Sequence, residues 1–519
     1  MDRALVFGTR GCRFDSCQVH KKFHMEQRID NKKIPNYVTH VTQTLKNGGF
    51  EAFLVGGCVR DLILNKEPKD WDVTTNAKPE EIIALFPKTV YENTFGTVGV
   101  CVARETETES YDIVEVTPYR NETKYSDFRH PDNVSFSEKI EDDLKRRDFT
   151  MNAIAYDHLD DKGQVVDLYK GQNSIKDKVI RTVGTADERF NEDALRMLRA
   201  IRFASQLDFM IESETIQSIV RNAGLLEHIS KERIRDEFIK IIESKNPSMG
   251  IGMLSKLGLL KYIIPELEEG IKCDQGGAHI YDVFEHCVLA CQHAADKGFS
   301  TEIRIAALFH DIGKPRTRRP GVKKAYTFYG HEVVGARMTQ KIMERLKFSR
   351  ETTNLVVSMV RNHMFFSDTE QITLSAVRRI ISKVGKDHIW ELMDIRQCDR
   401  VGMKKVEAPY RLRKYHAMIE ECLHDPISVG SLAIDGNYLI NVLHMKPSRR
   451  MGWILHALLE EVIENPEKNN IEYLKDKVIL LDILKDKDLE KIGVESKEKK
   501  DDLEKEEVEK LHKKHGVKK

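Results

Sequence analysis

Two aspartates one residue apart, Asp70 and Asp72, stand in the stretch FLVGGCVRDLILNKEPKDWDVTT over 53–75. On a strand alternate side chains share a face, so both carboxylates are expected to meet at one surface. Carboxylates that close repel each other unless a cation lies between them. Mg2+ bridging them to a triphosphate meets that demand. Gly56 and Gly57 stand just ahead, where an apolar run gives way to a helix. Bare backbone N–H groups there can approach a phosphate, and Arg60, one turn on, can reach the same group. An Asp-x-Asp pair alone is more often a solvated strand edge; glycines, arginine and aspartates in this order narrow the reading. Glu115, in YDIVEVTPYR, is either a third carboxylate beside them or an exposed strand residue.

A second set of chemistry-bearing residues lies far downstream. YDVFEHCVLA, AALFHDIGKP, YGHEVVGARM, VRNHMFF and IRQCDRVG carry His286, His310, Asp311, His331, His363 and Asp399 on helices or at their ends. A buried histidine is usually a satisfied core residue. Adjacent His and Asp with a preceding His and a distant Asp instead make a set suited to Mn, Ni, Mg or Fe.

The elements that must position these residues follow from periodicity. From about residue 36 the pattern predicts a helix, a strand over 51–55, a helix over 59–64, a strand over 71–74 and a helix over 79–86. TVGVCVARE and YDIVEVTPYR alternate as paired strands. A polar loop follows, and VVDLYKG with VIRTVG is expected to form a closing strand pair. From residue 187 nearly everything has helical period, in blocks ending near 261, 402 and 485. The last stretch, ESKEKKDDLEKEEVEKLHKKHGVKK, mixes charge signs with few apolar residues and cannot bury a core.

At 519 residues the chain needs several domains. Lys plus Arg equal Asp plus Glu at 83 each, which excludes a globally basic nucleic-acid binder but not a local basic stripe. Nine scattered cysteines without a CxxC pair fit a reducing, cytoplasmic setting. No stretch approaches the ~18 apolar residues of a membrane span. Residues 1–24 lack a signal peptide's apolar core and are expected to be a loose extension.

Four motifs then carry a resemblance. LVGGCVRDLILNKEPKDWDVTT, RRDFTMNAIAYD, EDALRMLRAIRFA and KERIRDEF, in this order, closely resemble the bacterial-type (class II) tRNA nucleotidyltransferases, the CCA-adding enzymes of the polymerase beta superfamily. The resemblance implies an α+β fold class: a polymerase-beta-like nucleotidyltransferase head with a small mixed sheet, then all-helical neck, HD and tail domains. It implies template-independent addition of C, C and A to tRNA from CTP and ATP. By it, Asp70 and Asp72 hold catalytic Mg2+, and Gly57 and Arg60 bind the triphosphate. Arg147 and Asp148 contact the incoming nucleotide at its ribose. Asp193 and Arg196 read its base, with Arg199 and Arg202 further along the same helix. The plainer reading of these arginines is a solvated stripe opposite Leu195, Leu198 and Ile201. Glu232 and Arg233 are expected to form a scaffold ion pair.

The His-Asp-x-Gly-Lys-Pro signature resembles the HD metal-dependent phosphohydrolases. That implies His286, His310, Asp311 and Asp399 as ligands of a further divalent metal (Mn, Ni, Mg or Fe) and a phosphoesterase activity. His331 and His363 meet either substrate or a second metal. The resulting organisation is an extension over 1–24, head 25–172, neck with base-recognition helix 173–275, HD domain 276–405, tRNA-binding tail 406–490 and charged tail 491–519. Ser448-Arg449-Arg450 replaces the family's Gly-Pro-type turn, with both arginines available to RNA phosphate. The loop over 119–136 favours full CCA addition over a narrower activity. Alternatives are A addition alone, a poly(A) polymerase, a protein uridylyltransferase, or an HD phosphohydrolase whose head only docks RNA.

Overall fold

The computed structural model describes residues 29–91, 96–104, 110–123, 133–160, 163–276, 280–321, 325–364, 373–401, 409–423 and 432–496. The expected N-terminal extension, most of the charged C-terminal tail and the tip of the 119–136 loop lie outside these residues. The chain divides into two compact units, one ending at Glu192 and the other beginning at Asp193.

The first unit is built on a sheet of β1 (Phe53–Val55), β2 (Asp72–Thr75), β3 (Thr89–Tyr91), β4 (Val98–Ala103) and β5 (Tyr111–Pro118), completed by later strands. A hairpin of β6 (Arg120–Thr123) and β7 (Asn133–Phe136) stands apart, and β8 (Ala155–Asp157) and β9 (Gln164–Val166) finish the sheet. Its order is β3-β4-β5-β2-β1-β8-β9. Only β2 and β5 run parallel, with Asp72 opposite Glu115; the other pairs are antiparallel, so the sheet is mixed as expected. Alternation decides the faces: along β5, Val114 and Val116 are buried while Ile113 and Glu115 are exposed.

The helices of this unit are α1 (Asn36–Asn47), α2 (Gly57–Ile63), α3 (Pro79–Leu85), α4 (Ile140–Lys145), α5 (Gly171–Asp177) and α6 (Ala186–Glu192). In α1, Val38, Val41, Thr42 and Leu45 fall on one face at helical spacing and are buried. Pro79 occupies the first turn of α3, and the Lys78 backbone N–H donates to Glu81 at 2.8 Å, which fixes its start. Tyr119, Leu144 and Ile140 pack on Val55 and Ala155, seating α4 against β1 and β8.

One expected pairing is corrected. The closing partner of β9 is β8, and α5 intervenes before Val179–Ile180. Gly171 requires this course: a Cβ there would lie 2.1 Å from the Thr150 carbonyl oxygen, so only glycine lets the chain enter α5 at this point.

The second unit is helical apart from short strands. It opens with α7 (Leu195–Leu207), α8 (Ser213–Asn222), α9 (Lys231–Ile242), α10 (Pro247–Lys256), α11 (Leu260–Ile263) and α12 (Pro265–Glu268). Then come α13 (Val283–Asp296), α14 (Thr301–Phe309), α15 (Lys314–Thr317), α16 (His331–Arg345), α17 (Arg350–Asn362), α18 (Leu374–Val384) and α19 (Ile389–Asp399). The last are α20 (Pro409–Leu423), α21 (Gly436–Asn441), α22 (Arg449–Glu464) and α23 (Ile471–Asp482). Side-chain caps start several: Asp282 accepts from Glu285 N before α13, and Ser300 from Ile303 N before α14. Near the end, Ile454, Leu458 and Val462 of α22 pack with Leu474, Val478 and Leu481 of α23 in a separate core. Among the described residues no helix is long and apolar enough to cross a membrane.

Candidate nucleotide-transfer and metal sites

In the first unit, Gly56 ends β1 with a φ of 82°, a left-handed conformation that glycine adopts without strain. A Cβ at this position would lie 2.9 Å from Arg147 Nη1 and 3.6 Å from Asp72 Oδ2. The Gly56 main chain, the Arg147 guanidinium and the Asp72 carboxylate therefore converge on one small volume. Asp72 opens β2 and is half-buried, whereas Asp70 is exposed in the bend just before the strand. The expectation that both aspartates lie on the strand is corrected to that extent; buried Trp71 separates them and alternation of the three side chains is kept. Glu115, in register with Asp72 on the neighbouring strand, is exposed. In-register residues on adjacent strands project to the same face, so Glu115 stands beside Asp72. Oxygen donors of this kind suit a hard divalent cation.

Arg147 is held from behind. Its Nη2 lies 3.0 Å from Asp143 Oδ2, and Arg146 pairs with the other oxygen of the same carboxylate. Asp143 has no exposed side-chain surface. Burial pushes its carboxyl up, but Arg147 and Arg146 outweigh burial and hold it below the usual carboxylate range. Burial likewise opposes the charge on Arg147, and Asp143 and then Asp72 restore it.

Arg60 is almost fully buried, with Nε donating to Asp61 and Nη1 donating to Asn152 Oδ1 at 2.9 Å. Its Nη2 lies 3.7 Å from where a Cβ on Gly57 would stand, so the guanidinium borders the backbone at the start of α2. Asn152 in turn donates to Asp148 Oδ1 at 3.2 Å, and that oxygen also accepts from Phe149 N. Asn152 thus ties Arg60 to Asp148. Sequence reasoning passed over Asn152 and Asp143 although both lie in or beside the RRDFTMNA motif. Cys58 takes no part as a nucleophile: burial, with the charge of Asp72 adding, pushes its thiol up to about 12.

In the second unit, Asp193 lies two residues before α7, not within it. Its Oδ1 accepts from Leu195 N at 3.1 Å and caps the helix. The pairing of Arg233 is also corrected. It reaches Asp193, at 2.7 Å from Oδ2 and 3.3 Å from Oδ1, while Glu232 is exposed. Arg196 follows in the first turn of α7 and is 9% exposed. Arg202 is paired with Glu237 at 2.8 Å, both nearly buried, and its guanidinium lies 4.2 Å from the Phe203 ring centre. Arg199 is half-buried. The arginine stripe is therefore not a solvated face. In the tail, Arg450 is engaged by Asp482 and Asp486.

The histidine block closes into one cluster. His286 comes from the first turn of α13, His310 and Asp311 from the end of α14, His331 from the start of α16, His363 from the end of α17 and Asp399 from the end of α19. His286, His310, Asp311, His331 and His363 are all at most 5% exposed. Gly313 permits the turn after Asp311, because a Cβ there would lie 2.2 Å from the His331 carbonyl oxygen. Ligand atoms of His286, His310, Asp311 and Asp399 lie within 4.8 Å of one another, as do those of Asp311, His331 and His363. Burial alone would lower the His310 pKa, but Asp311 and Asp399 raise it to about 10. The cluster favours positive charge at its centre. Buried Lys314, which the sequence reading did not single out, places Nζ 2.5 Å from Asp311 Oδ2 and 2.7 Å from Gln275 Oε1.

Known proteins share these features. Residues 52–181 match the poly A polymerase head domain, 208–271 the probable RNA and SrmB- binding site of polymerase A, and 276–403 the HD domain. The CCA-adding enzyme of Lactobacillus helveticus is 44% identical over 443 residues, covering 84% of this chain and 96% of that protein. That of a Geobacillus species is 46% identical over 224 residues, 43% of this chain and 53% of that one. Among solved structures, the Bacillus stearothermophilus CCA-adding enzyme in complex with CTP superposes with a TM-score of 0.58 at 28% identity, covering 85% of this chain and 95% of that one. With a head that matches that of the poly A polymerases and a relative this similar over nearly its whole length, the chain belongs to the CCA-adding enzymes.

Proposed function

We propose that the chain adds C, C and A to the 3′ end of tRNA from CTP and ATP, releasing pyrophosphate, through the roles assigned below. The observation that carries this assignment is the convergence of Gly56, Arg147 and Asp72. Asp70 and Asp72, with Glu115 alongside, hold a divalent ion such as Mg2+. When bound, that ion offsets triphosphate charge and lowers the pKa of the tRNA 3′-hydroxyl. Gly56 and Gly57 bring bare backbone close to the phosphates, and Arg60 and Arg147 present positive charge to them. Asp148, oriented by Asn152, accepts from the ribose. The protein's task is positioning and charge stabilisation for an in-line displacement at the α-phosphorus.

Base choice falls to Asp193 and Arg196. Cytosine and adenine each show an amino donor beside a ring-nitrogen acceptor, and uracil and guanine reverse that order. Carboxylate beside guanidinium matches the first pattern, with Asp193 accepting and Arg196 donating. The test uses tRNA transcripts ending before CCA, after C and after CC, with each labelled triphosphate in turn. CTP is expected to extend the first two and ATP only the third. Extension of the third transcript alone would reduce the activity to A addition.

The histidine cluster supports a second centre. His286, His310, Asp311 and Asp399 are placed to hold a divalent first-row metal, and the arrangement suits phosphoester hydrolysis independent of the head. A cyclic nucleotide phosphate and a phosphomonoester serve as test substrates. Absence of both metal and hydrolysis in the purified protein would leave the cluster a structural one.

A further inference from the structure

We propose that the open face of β3, β4 and β5 seats the 3′-terminal nucleoside of the tRNA, with Ile113 and Val90 against it, Gly99 as the recess beneath it and Lys88 at the phosphate that precedes it. The inference rests on the reading of the chain as adding nucleotides to tRNA and names where the attacking end of that substrate lies. Asp72, Glu115, Gly99 and Val90 stand in register across neighbouring strands and so share one face of the sheet. In the next row of that face Ile113 pairs with Cys101, and the Cys101 N–H donates to the Lys88 carbonyl, which sets Lys88 beside them. At about 4.8 Å per strand the shelf from β5 to β3 is about 10 Å wide.

This face is apolar where water would favour polar side chains. Ile113 is 54% exposed, Val90 44% and Tyr111 38%, while Val98, Val100, Val114 and Val116, on the opposite face, are at most 1% exposed. The core therefore does not account for Ile113 and Val90. Gly99 lies between them. A Cβ there would meet Ile113 Cγ2 at 3.4 Å and the Val90 carbonyl oxygen at 3.5 Å, ordinary contacts for an alanine, and its φ is not left-handed. A glycine inside a strand that neither a turn nor packing requires weakens the strand and marks a place where another molecule approaches closely. Lys88 Nζ lies 3.6 Å from the Tyr111 ring centre, so a cation and an aromatic ring close the far end of the shelf.

The direction of the reaction selects the occupant. Gly56 ends β1 and Arg147 reaches it, and β1 adjoins β2 on the side away from β5. The triphosphate is thus held on the β1 side of Asp72. In an in-line displacement the attacking oxygen lies across the α-phosphorus from the leaving pyrophosphate. The 3′-hydroxyl therefore arrives from the β5 side, and the sugar and base that carry it lie over Ile113 and Gly99. Apolar contact tolerates any base, as a seat for successive tRNA termini requires. A protein docked on this face would instead close the approach to Asp72 and Glu115.

Cys101 is a native reporter, half-buried on the shelf with a free thiol. Its alkylation by iodoacetamide in the full-length chain is followed by peptide mass spectrometry: alone, with tRNA lacking CCA, and with the same tRNA shortened at its 3′ strand. The intact terminus is expected to slow alkylation, and the shortened tRNA to leave it unchanged. In steady-state addition, Ile113→Ser and Lys88→Ala should each raise the KM for tRNA about tenfold with the KM for CTP unchanged. Ile113→Val and Lys88→Arg should restore it, a pattern that loss of fold does not give. Equal alkylation with and without the intact terminus, protection by the shortened tRNA, or protection that grows with protein concentration alone overturns the seat while leaving nucleotide addition in place. An unchanged KM for tRNA in both variants does the same. Failure of the parent chain to extend tRNA overturns the addition reading, and this inference with it.

Discussion

Arg233 grips Asp193 with both terminal guanidinium nitrogens, at 2.7 and 3.3 Å, across forty residues of sequence. Asp193 sits before α7 rather than on it, so helical geometry alone does not aim its carboxylate; Arg233 and the Leu195 N–H do. The pair ties the segment that opens α7 to the first turn of α9.

If Asp193 and Arg196 read the base, Arg233→Ala should loosen the reading without touching the triphosphate. A matched donor–acceptor pair is worth roughly 1–3 kcal/mol, so UTP and GTP use relative to CTP and ATP should rise about tenfold or more. Asp193→Ala and Arg196→Ala should relax selection at least as far, and Arg233→Lys should fall between wild type and alanine. Single-nucleotide incorporation with all four triphosphates measures this. Unchanged selectivity in the Asp193 and Arg196 variants would place base reading elsewhere.

Gly56→Ala should abolish nucleotide addition. The added methyl meets Arg147 Nη1 at 2.9 Å, and the residue must also hold a φ of 82°. The loss should appear in kcat with tRNA binding retained. A rate within tenfold of wild type would show that Arg147 can step aside without cost.

Asp143 makes a pH prediction. Its folded-state pKa lies below the ordinary value, so the unfolded chain holds its proton more tightly. The stabilisation is then fully present above the ordinary carboxylate pKa of about 3.9 and is lost as pH falls through the lower folded value. Asp143→Asn removes one partner of a buried pair and should cost about 3–5 kcal/mol near neutrality. Thermal melts at pH 7 and along an acid series should show a lower Tm and a shallower acid dependence in the variant. Equal acid sensitivity would mean that Asp143 does not contribute to acid unfolding.

His310→Ala and Asp311→Ala should each eliminate metal-dependent phosphoester hydrolysis and leave CCA addition unchanged, because none of this cluster's donors is among the residues assigned to nucleotide addition. Parallel assays on a phosphomonoester and on tRNA lacking CCA decide it. Loss of both activities together would show that the cluster supports the fold or the tRNA path rather than a separate reaction.

What was legible in the sequence was local. Gly56, Arg60, Asp70 and Asp72 announce themselves by order and spacing, and His310-Asp311 by adjacency. The β4–β5 pair was plain from alternation. Partners brought together by the fold were not legible: Arg233 looks equally suited to its neighbour Glu232, and only the packing of α7 and α9 delivers it to Asp193. Asn152 and Asp143 gave no signal because their role is to hold other side chains in place. VVDLYKG and VIRTVG misled because both are apolar and alternating, while strand pairing was settled by β8 and by the turn into α5. The histidines were individually visible, yet their meeting depends on five helices packing at once.

The most direct test of the central claim is single-turnover nucleotide addition to tRNA lacking CCA by Asp70→Ala and Asp72→Ala, with tRNA affinity measured alongside. Loss of charge stabilisation at the reacting phosphate should slow addition by roughly a thousandfold or more, about 4 kcal/mol, while tRNA binds nearly as before. Addition near the wild-type rate in both variants would contradict the assignment of this carboxylate pair as the catalytic centre.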